Sequence, residues 1–264
     1  MVRWALDRAR RVAPPERTLV VVNGAHRRHW EADLADVPRH NRLVQPRNRG
    51  TAAGVLLAML TIRARAGEDT PVVFLPSDHA VSDELALQTA VEVALRAAVR
   101  SEQGVVLLGM EPGEDDQEFG WVLPADGYVV AEVRRFVEKP PPGRVRSLVQ
   151  AGGLINSFVF AARVRTLVDL CSAALPLVTN RFLAHVRYSL GVCALHELYD
   201  AIAASDLSRD VLQRAASRLL VVKVPECGWS DLGTPERLQA FLTRREASRA
   251  AMAGAAAARS EAAA

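Results

Sequence analysis

The residues best suited to chemistry stand where apolar runs stop. "VVFLPSDHAVSDE" (72–84) opens like a buried strand, then breaks at Pro76-Ser77 to present Asp78 and His79 side by side. An acid in that place either caps the helix that follows or helps to hold a metal or phosphate at the carboxyl edge of a sheet. "FVEKPPPG" (136–143) ends a second apolar run on Glu138 and Lys139. A carboxylate accepts hydrogen bonds and an ammonium neutralises an anion, yet a solvated charge pair at a strand end has the same pattern. "CGWSDLG" (227–233) sets Asp231 in what also reads as an Asp-Leu-Gly turn.

Composition narrows the setting. The 264 residues carry 33 Lys+Arg against 30 Asp+Glu, and only Lys139 and Lys223 are lysines. A position needing nothing but charge could have been arginine, so Lys139 draws attention. Basic residues are interspersed with acids, which argues against nucleic acid as a partner. The N-terminal "MVRWALDRARRVAPPER" is too charged for a signal peptide, and no apolar run approaches the ~18 residues of a membrane span. Cys171, Cys193 and Cys227 are odd in number, far apart and without metal-ligand spacing. That usage suits a reducing, cytoplasmic setting. Homo-oligomerisation is left open.

Elements that must position these residues follow from periodicity. "TLVVV" (18–22) predicts a strand, "RLVQ" (42–45) a short one, and "TAAGVLLAMLTIRARA" (51–66) an apolar helix with Thr51 as its N-cap. A helix is expected around 27–35. Strand 71–75, helix 83–100 and strand 104–109 continue an alternation that implies βαβ crossovers. Beyond residue 112 a hairpin with Asp126-Gly127 at its turn is expected, with strands near 119–123 and 128–137. A strand at 152–162, a largely helical stretch 162–216, a last strand 218–224 and a last helix 235–245 complete the pattern. One domain is expected over 1–242, followed by an alanine-rich tail (243–264) as a frayed helix or a disordered extension.

Four stretches, "QPRNRGTAAG" (45–54), "LPSDHAV" (75–81), "FVEKP" (136–140) and "CGWSDLGTPERL" (227–238), together resemble the sugar-phosphate nucleotidyltransferases, with "INSFVF" (155–160) in order between the last two. The mannose-1-phosphate guanylyltransferases are the most similar branch. The resemblance implies an α/β fold, a Rossmann-like three-layer architecture with a mixed, mostly parallel sheet of the nucleotide-diphospho-sugar transferase type. It further implies an enzyme that joins a sugar 1-phosphate, here mannose 1-phosphate, to a nucleoside triphosphate, here GTP, releasing pyrophosphate. By the same resemblance Asp78 and Asp231 hold Mg2+, and Asp78 and Lys139 are catalytic, Lys139 neutralising the sugar 1-phosphate. Gln45, Gly50 and Thr51 contact the nucleotide. Gly120, Glu138 and Asn156 contact the sugar, and His79 stands behind Asp78 or makes a local turn contact.

Two departures qualify the likeness. Phe158 stands where the family has glycine. The family's glycine-rich segment and the strand before it have no counterpart ahead of residue 18, so the sheet is expected to lack its first strand and to expose unpaired edges. A mis-called start or a true deletion would produce this, and the chain as given is then expected to turn over weakly or not at all. The alternative is a degenerate, non-catalytic paralogue that binds sugar phosphate or nucleotide sugar.

Overall fold

The computed structural model describes residues 1–243 and 245, apart from 102–103, 114–116, 126–128 and 189–190. The chain opens with α1 (Val2–Arg10), β1 (Val20–Asn23), the single turn α2 (Arg27–Trp30) and β2 (Arg42–Gln45). It continues through α3 (Gly50–Ala66), β3 (Pro71–Phe74), β4 (His79–Ala80), α4 (Glu84–Arg100) and β5 (Val105–Met110). Strands β6 (Gly120–Pro124) and β7 (Val130–Glu138), helix α5 (Pro142–Gln150) and strand β8 (Leu154–Arg163) come next. Three helices follow, α6 (Val164–Ala174), α7 (Pro176–Arg187) and α8 (Val192–Ala201). A π-helical turn (Leu207–Leu212), β9 (Leu219–Lys223), β10 (Ser230–Asp231) and a helix, α9, at 235–243 end the described chain.

Six strands form the central sheet in the order β3-β8-β5-β9-β7-β6, with β8 also touching β6. β5 "VVLLGM" is buried at every position, as a strand covered on both faces must be. The sheet is mixed, as expected, but it is not mostly parallel as the resemblance implied: antiparallel neighbours dominate. β3, β5, β9 and β6 share one direction, but β8 and β7 run against them, so β5–β9 is the sheet's parallel neighbour pair and the other pairings are antiparallel. The β6–β7 hairpin forms, with Gly120 opposite Glu138; its expected turn residues, Asp126 and Gly127, lie outside the described residues. So does the tail from 246 onward.

β1 and β2 pair in parallel as a separate two-stranded ribbon, Val20 opposite Arg42 through Asn23 opposite Gln45. Among the described residues β1 hydrogen-bonds only to β2, and β3 only to β8. Each therefore has an unpaired edge among those residues. Side chains join the two parts instead. α3 is buried without a break from Ala52 to Leu60, and its core takes in Val21 and Leu43 of the ribbon together with Val72 and Phe74 of β3. α1 contributes Leu6, packed with Trp30, Leu34, Val20 and Val22. Arg8 of α1 grips Glu84 at the start of α4 with two bonds, 2.8 and 3.0 Å.

Three expectations are corrected. Thr51 is not the cap of α3: the helix starts at Gly50, position Arg49 precedes it with no side-chain cap, and the Thr51 hydroxyl bonds elsewhere. The helix expected over 27–35 is one turn followed by looser turns. The stretches 79–80 and 230–231 are strands, too short for any periodicity to announce. Among the described residues no helix is long and apolar enough to cross a membrane.

Candidate active site

The β4–β10 pair decides where the acids stand. Asp231 lies opposite His79 and Ser230 opposite Ala80, and the Leu232 amide donates to the Asp78 carbonyl at 3.0 Å. Asp78 and Asp231 are thus brought to one spot by a two-residue ladder. Asp78 keeps an exposed side chain (60%), whereas that of Asp231 is 21% exposed. Burial pushes the Asp231 carboxyl above its ordinary range; Arg237 opposes this, and the Asp78 charge adds to it. The neighbouring histidine is neutral: burial lowers His79 to about 4. Its Nδ1 accepts from Trp229 Nε1 at 3.2 Å and its Nε2 lies 4.0 Å from Asp78 Oδ1. His79 is therefore a buried strand residue that backs Asp78 rather than a turn residue. The helix-capping alternative for this loop falls to another acid, Asp83, which accepts from the Leu85 and Ala86 amides.

These carboxylates fit a magnesium ion. That ion keeps several waters and takes one or two protein carboxylates beside the oxygens of its phosphate ligand. A carboxylate whose proton affinity is raised by burial and by a neighbouring acid is a place where a divalent cation relieves repulsion. No group of three or more His, Cys, Asp or Glu side chains converges among the described residues, so a cage built from protein alone is not present there.

The sugar-side residues also meet. Gly120 and Glu138 face each other across β6–β7, and Asn156 sits opposite Gly109 in β8, beside the β8–β6 contact at Ile155 and Trp121. A Cβ on Gly120 would lie 2.6 Å from Glu138 Oε2 and 3.1 Å from the Phe136 ring. Glycine is needed there to leave room for that carboxyl. Glu138 Oε2 is buried and makes no hydrogen bond among the described residues. Asn156 is buried, accepting from the Phe158 amide at 3.3 Å and donating to Ser208 at 3.5 Å. Lys139 is exposed and makes no side-chain hydrogen bond or ion pair among the described residues, while Lys223 pairs with Glu111 at 2.7 Å. Lys139 (φ 45°) and Phe158 (φ 59°) are the non-glycine residues with positive φ among those described. Such strain gathers where backbone is held for function. At Phe158 it accompanies a bulge, since Leu107 to Gly109 of β5 stands opposite the longer stretch Phe160 to Asn156 of β8.

Burial, and then the Asp206 charge, raise the Glu138 carboxyl from 4.5 to about 7, with Lys139 and Arg209 opposing. A raised acid favours the protonated fold, so its contribution to stability is complete below about pH 4.5 and is lost as pH climbs through about 7. Glu138→Gln should therefore be more stable than the parent at pH 8, by about 1–2 kcal/mol after solvent screening. The advantage should vanish at about pH 4. Thermal melts at the two pH values check this, and a pH-independent difference would count against it.

The nucleotide-side residues lie on the ribbon and on the first turn of α3. Gln45 ends β2, its Oε1 accepting from the Tyr199 hydroxyl at 3.1 Å, and the glycine at Gly54 leaves it space. Gly50 has φ +81°, and a Cβ there would stand 2.2 Å from the Ser205 carbonyl oxygen. The close neighbour that demands glycine is thus Ser205 backbone, where the sequence suggested a base ring. The Thr51 hydroxyl donates to Asp206 (3.3 Å) and accepts from the Leu207 amide (2.8 Å).

One segment links the nucleotide and sugar ends, and the sequence did not single it out. Residues 205–213 touch Gly50 and Thr51 through Ser205 and Asp206, Asn156 through Ser208, and Glu138 through Gln213, whose Oε1 accepts from the Glu138 amide at 2.7 Å. π-Helical turns recur at functional sites. The only hint was "SDLSRD", a polar break in a helical stretch. Arg237, which donates to Asp231 at 2.8 Å, was also unmarked among so many arginines.

Comparison with known proteins fits this geometry. Residues 1–246 match the family described as "Nucleotidyl transferase". Xanthan biosynthesis protein XanB of Xanthomonas campestris is 29% identical over 224 residues, covering 82% of this chain and 47% of its own length. Alginate biosynthesis protein AlgA of Pseudomonas putida is 32% identical over 158 residues, 57% of this chain and 32% of its own. A solved structure described as mannose-1-phosphate geranyltransferase from Thermus thermophilus superposes with a TM-score of 0.78 at 27% identity, over 90% of this chain and 67% of that one. The chain spans about a third to a half of the length of the curated relatives it matches. Paired acids at the strand ends, a glycine-made pocket for Glu138 and a match over nearly the whole described length lead to one statement: this chain belongs to the nucleotidyl transferase family.

Proposed function

We propose that this chain transfers a nucleotidyl group to a sugar 1-phosphate, with mannose 1-phosphate and GTP as the favoured pair and Mg2+ as the required ion. The observation that carries the reading is the β4–β10 ladder, which sets Asp78 beside Asp231. A mannose-1-phosphate guanylyltransferase of Escherichia coli, 25% identical over 240 residues, supports the choice of sugar and base.

In the reaction a phosphate oxygen of the sugar 1-phosphate attacks the α-phosphorus of the triphosphate. The bond from that phosphorus to the oxygen bridging toward the β-phosphate breaks, and pyrophosphate leaves. The chain's work is positioning and charge neutralisation. Lys139, exposed and unpaired among the described residues, offers an ammonium to the incoming phosphate. Asn156 and Glu138 face the sugar hydroxyls, and Gln45 offers a donor and an acceptor to the base edge. Asp78 and Asp231 would hold magnesium, which supplies charge to the phosphates when bound.

Pyrophosphate release, followed with a panel of nucleoside triphosphates and sugar 1-phosphates, tests the proposal. Release with GTP and mannose 1-phosphate above all other pairs is the expected pattern. Lys139→Ala should raise the KM for the sugar 1-phosphate about tenfold, the loss of one charge-assisted contact, with little change for the triphosphate. Equal effects on both substrates would remove Lys139 from that role.

A second reading has an observation of its own. Among the described residues β1–β2 and the six-stranded sheet share no main-chain pairing, which favours a chain that binds the sugar nucleotide and turns over weakly. Saturable GDP-mannose binding with no pyrophosphate release would select it.

A further inference from the structure

Arg237 occupies the position a cation would take next to Asp231. Its Nη1 donates to Asp231 Oδ1 at 2.8 Å, and its Nη2 lies 3.7 Å from Glu118. The guanidinium carbon stands 4.5 Å over the Phe119 ring. Thr234 Oγ1 accepts from the Arg237 amide at 3.3 Å, fixing the residue in the first turn of α9. The ring and the half-buried setting limit its freedom, since the side chain is only 24% exposed. Asp78, on the other side of Asp231, pairs with no arginine or lysine among the described residues; the neutral His79 approaches it at 4.0 Å.

We propose that Arg237 is a resident counter-cation that competes with the divalent ion for Asp231. Resting on the metal reading above, the inference adds what holds the site before an ion arrives. Without a cation, two adjacent carboxylates repel, and Arg237 offsets that repulsion at Asp231. An entering ion needs the same carboxylate and must displace a charge-assisted bond to obtain it. Glu118 and the Phe119 face give the displaced guanidinium a second resting place. The cost of displacement lowers the chain's affinity for free metal, so a triphosphate that brings its own magnesium is favoured over the bare ion.

Mn2+ alone, titrated into the full chain and followed by the loss of the free-ion paramagnetic resonance signal, reads this without any turnover. Arg237→Gln is expected to bind Mn2+ about three- to tenfold more tightly than the parent. Arg237→Lys, which keeps the charge and loses the planar fork, should fall between them and guards against misfolding of the first variant. Asp231→Asn should lose most of the binding. If Asp231→Asn binds like the parent, the metal reading fails. If Asp231→Asn loses binding while Arg237→Gln is unchanged or weaker, the acids still hold the ion and the competition is overturned.

Discussion

Gly50→Ala is expected to lower the melting temperature by about 6–12 °C, from a loss of about 3 kcal/mol. Two effects add. The backbone there is left-handed, φ +81°, where a side chain costs about 1 kcal/mol. The new methyl would also meet the Ser205 carbonyl, whose oxygen stands 2.2 Å and whose carbon 2.8 Å from the Cβ position. Neither neighbour is a pliable side-chain end. Ser205 is itself bonded back, its amide to the Arg49 carbonyl at 3.0 Å and its carbonyl to the Ala52 amide at 3.1 Å. Gly152→Ala isolates the first effect: φ is +73°, with nothing within 4 Å of the added carbon. It should cost only about 1 kcal/mol. Calorimetric melts of both variants check the prediction, and equal losses would show that the Ser205 contact relaxes at no cost.

Asp231→Asn and Asp78→Asn should each reduce metal-dependent pyrophosphate release at least about a hundredfold, in this chain or in a longer form that carries it. Asparagine keeps the shape and removes the charge that two phosphate-bearing substrates and their cation require. The two variants should differ in stability. Asp78 is exposed and its replacement should leave the fold unchanged, whereas Asp231→Asn takes the charge from the acceptor that Arg237 bonds at 2.8 Å. Turnover within about threefold of the parent in either variant, under saturating metal, would remove that residue from the ion. Steady-state rates at several Mg2+ concentrations make the distinction.

The larger elements were legible because burial writes a period into the chain. "VVLLGM" and "GVLLAML" could only be covered on all sides, and they are. Strand ends leading to Asp78 and Glu138 were legible because a hydrophobic run that stops on a polar residue marks the rim of a sheet, whereas Asn156, buried inside β8, was reached only through the family resemblance. Pairing across the chain was not. His79 and Asp231 meet through two residues per strand, and such a ladder has no repeat to detect. Thr51 looked like a cap because threonine before an apolar helix usually is one; the competing contact, Asp206, lies far along the chain. Gly50 is a place of close approach, and its visitor is another stretch of the same backbone, which no local pattern announces. Arg237 gains meaning only from the ring and the acid that the fold places around it.

The ribbon of β1 and β2 has no main-chain bond to the six-stranded sheet among the described residues. Among those residues it is held by apolar packing against α1 and α3 and by side-chain bonds such as Tyr199 to Gln45, a softer coupling than a ladder of amides. Gln45 therefore rides on a two-stranded ribbon, while Glu138 and Asn156 belong to the six-stranded sheet. Local opening would then reach Gln45 before it reaches Glu138 or Asn156.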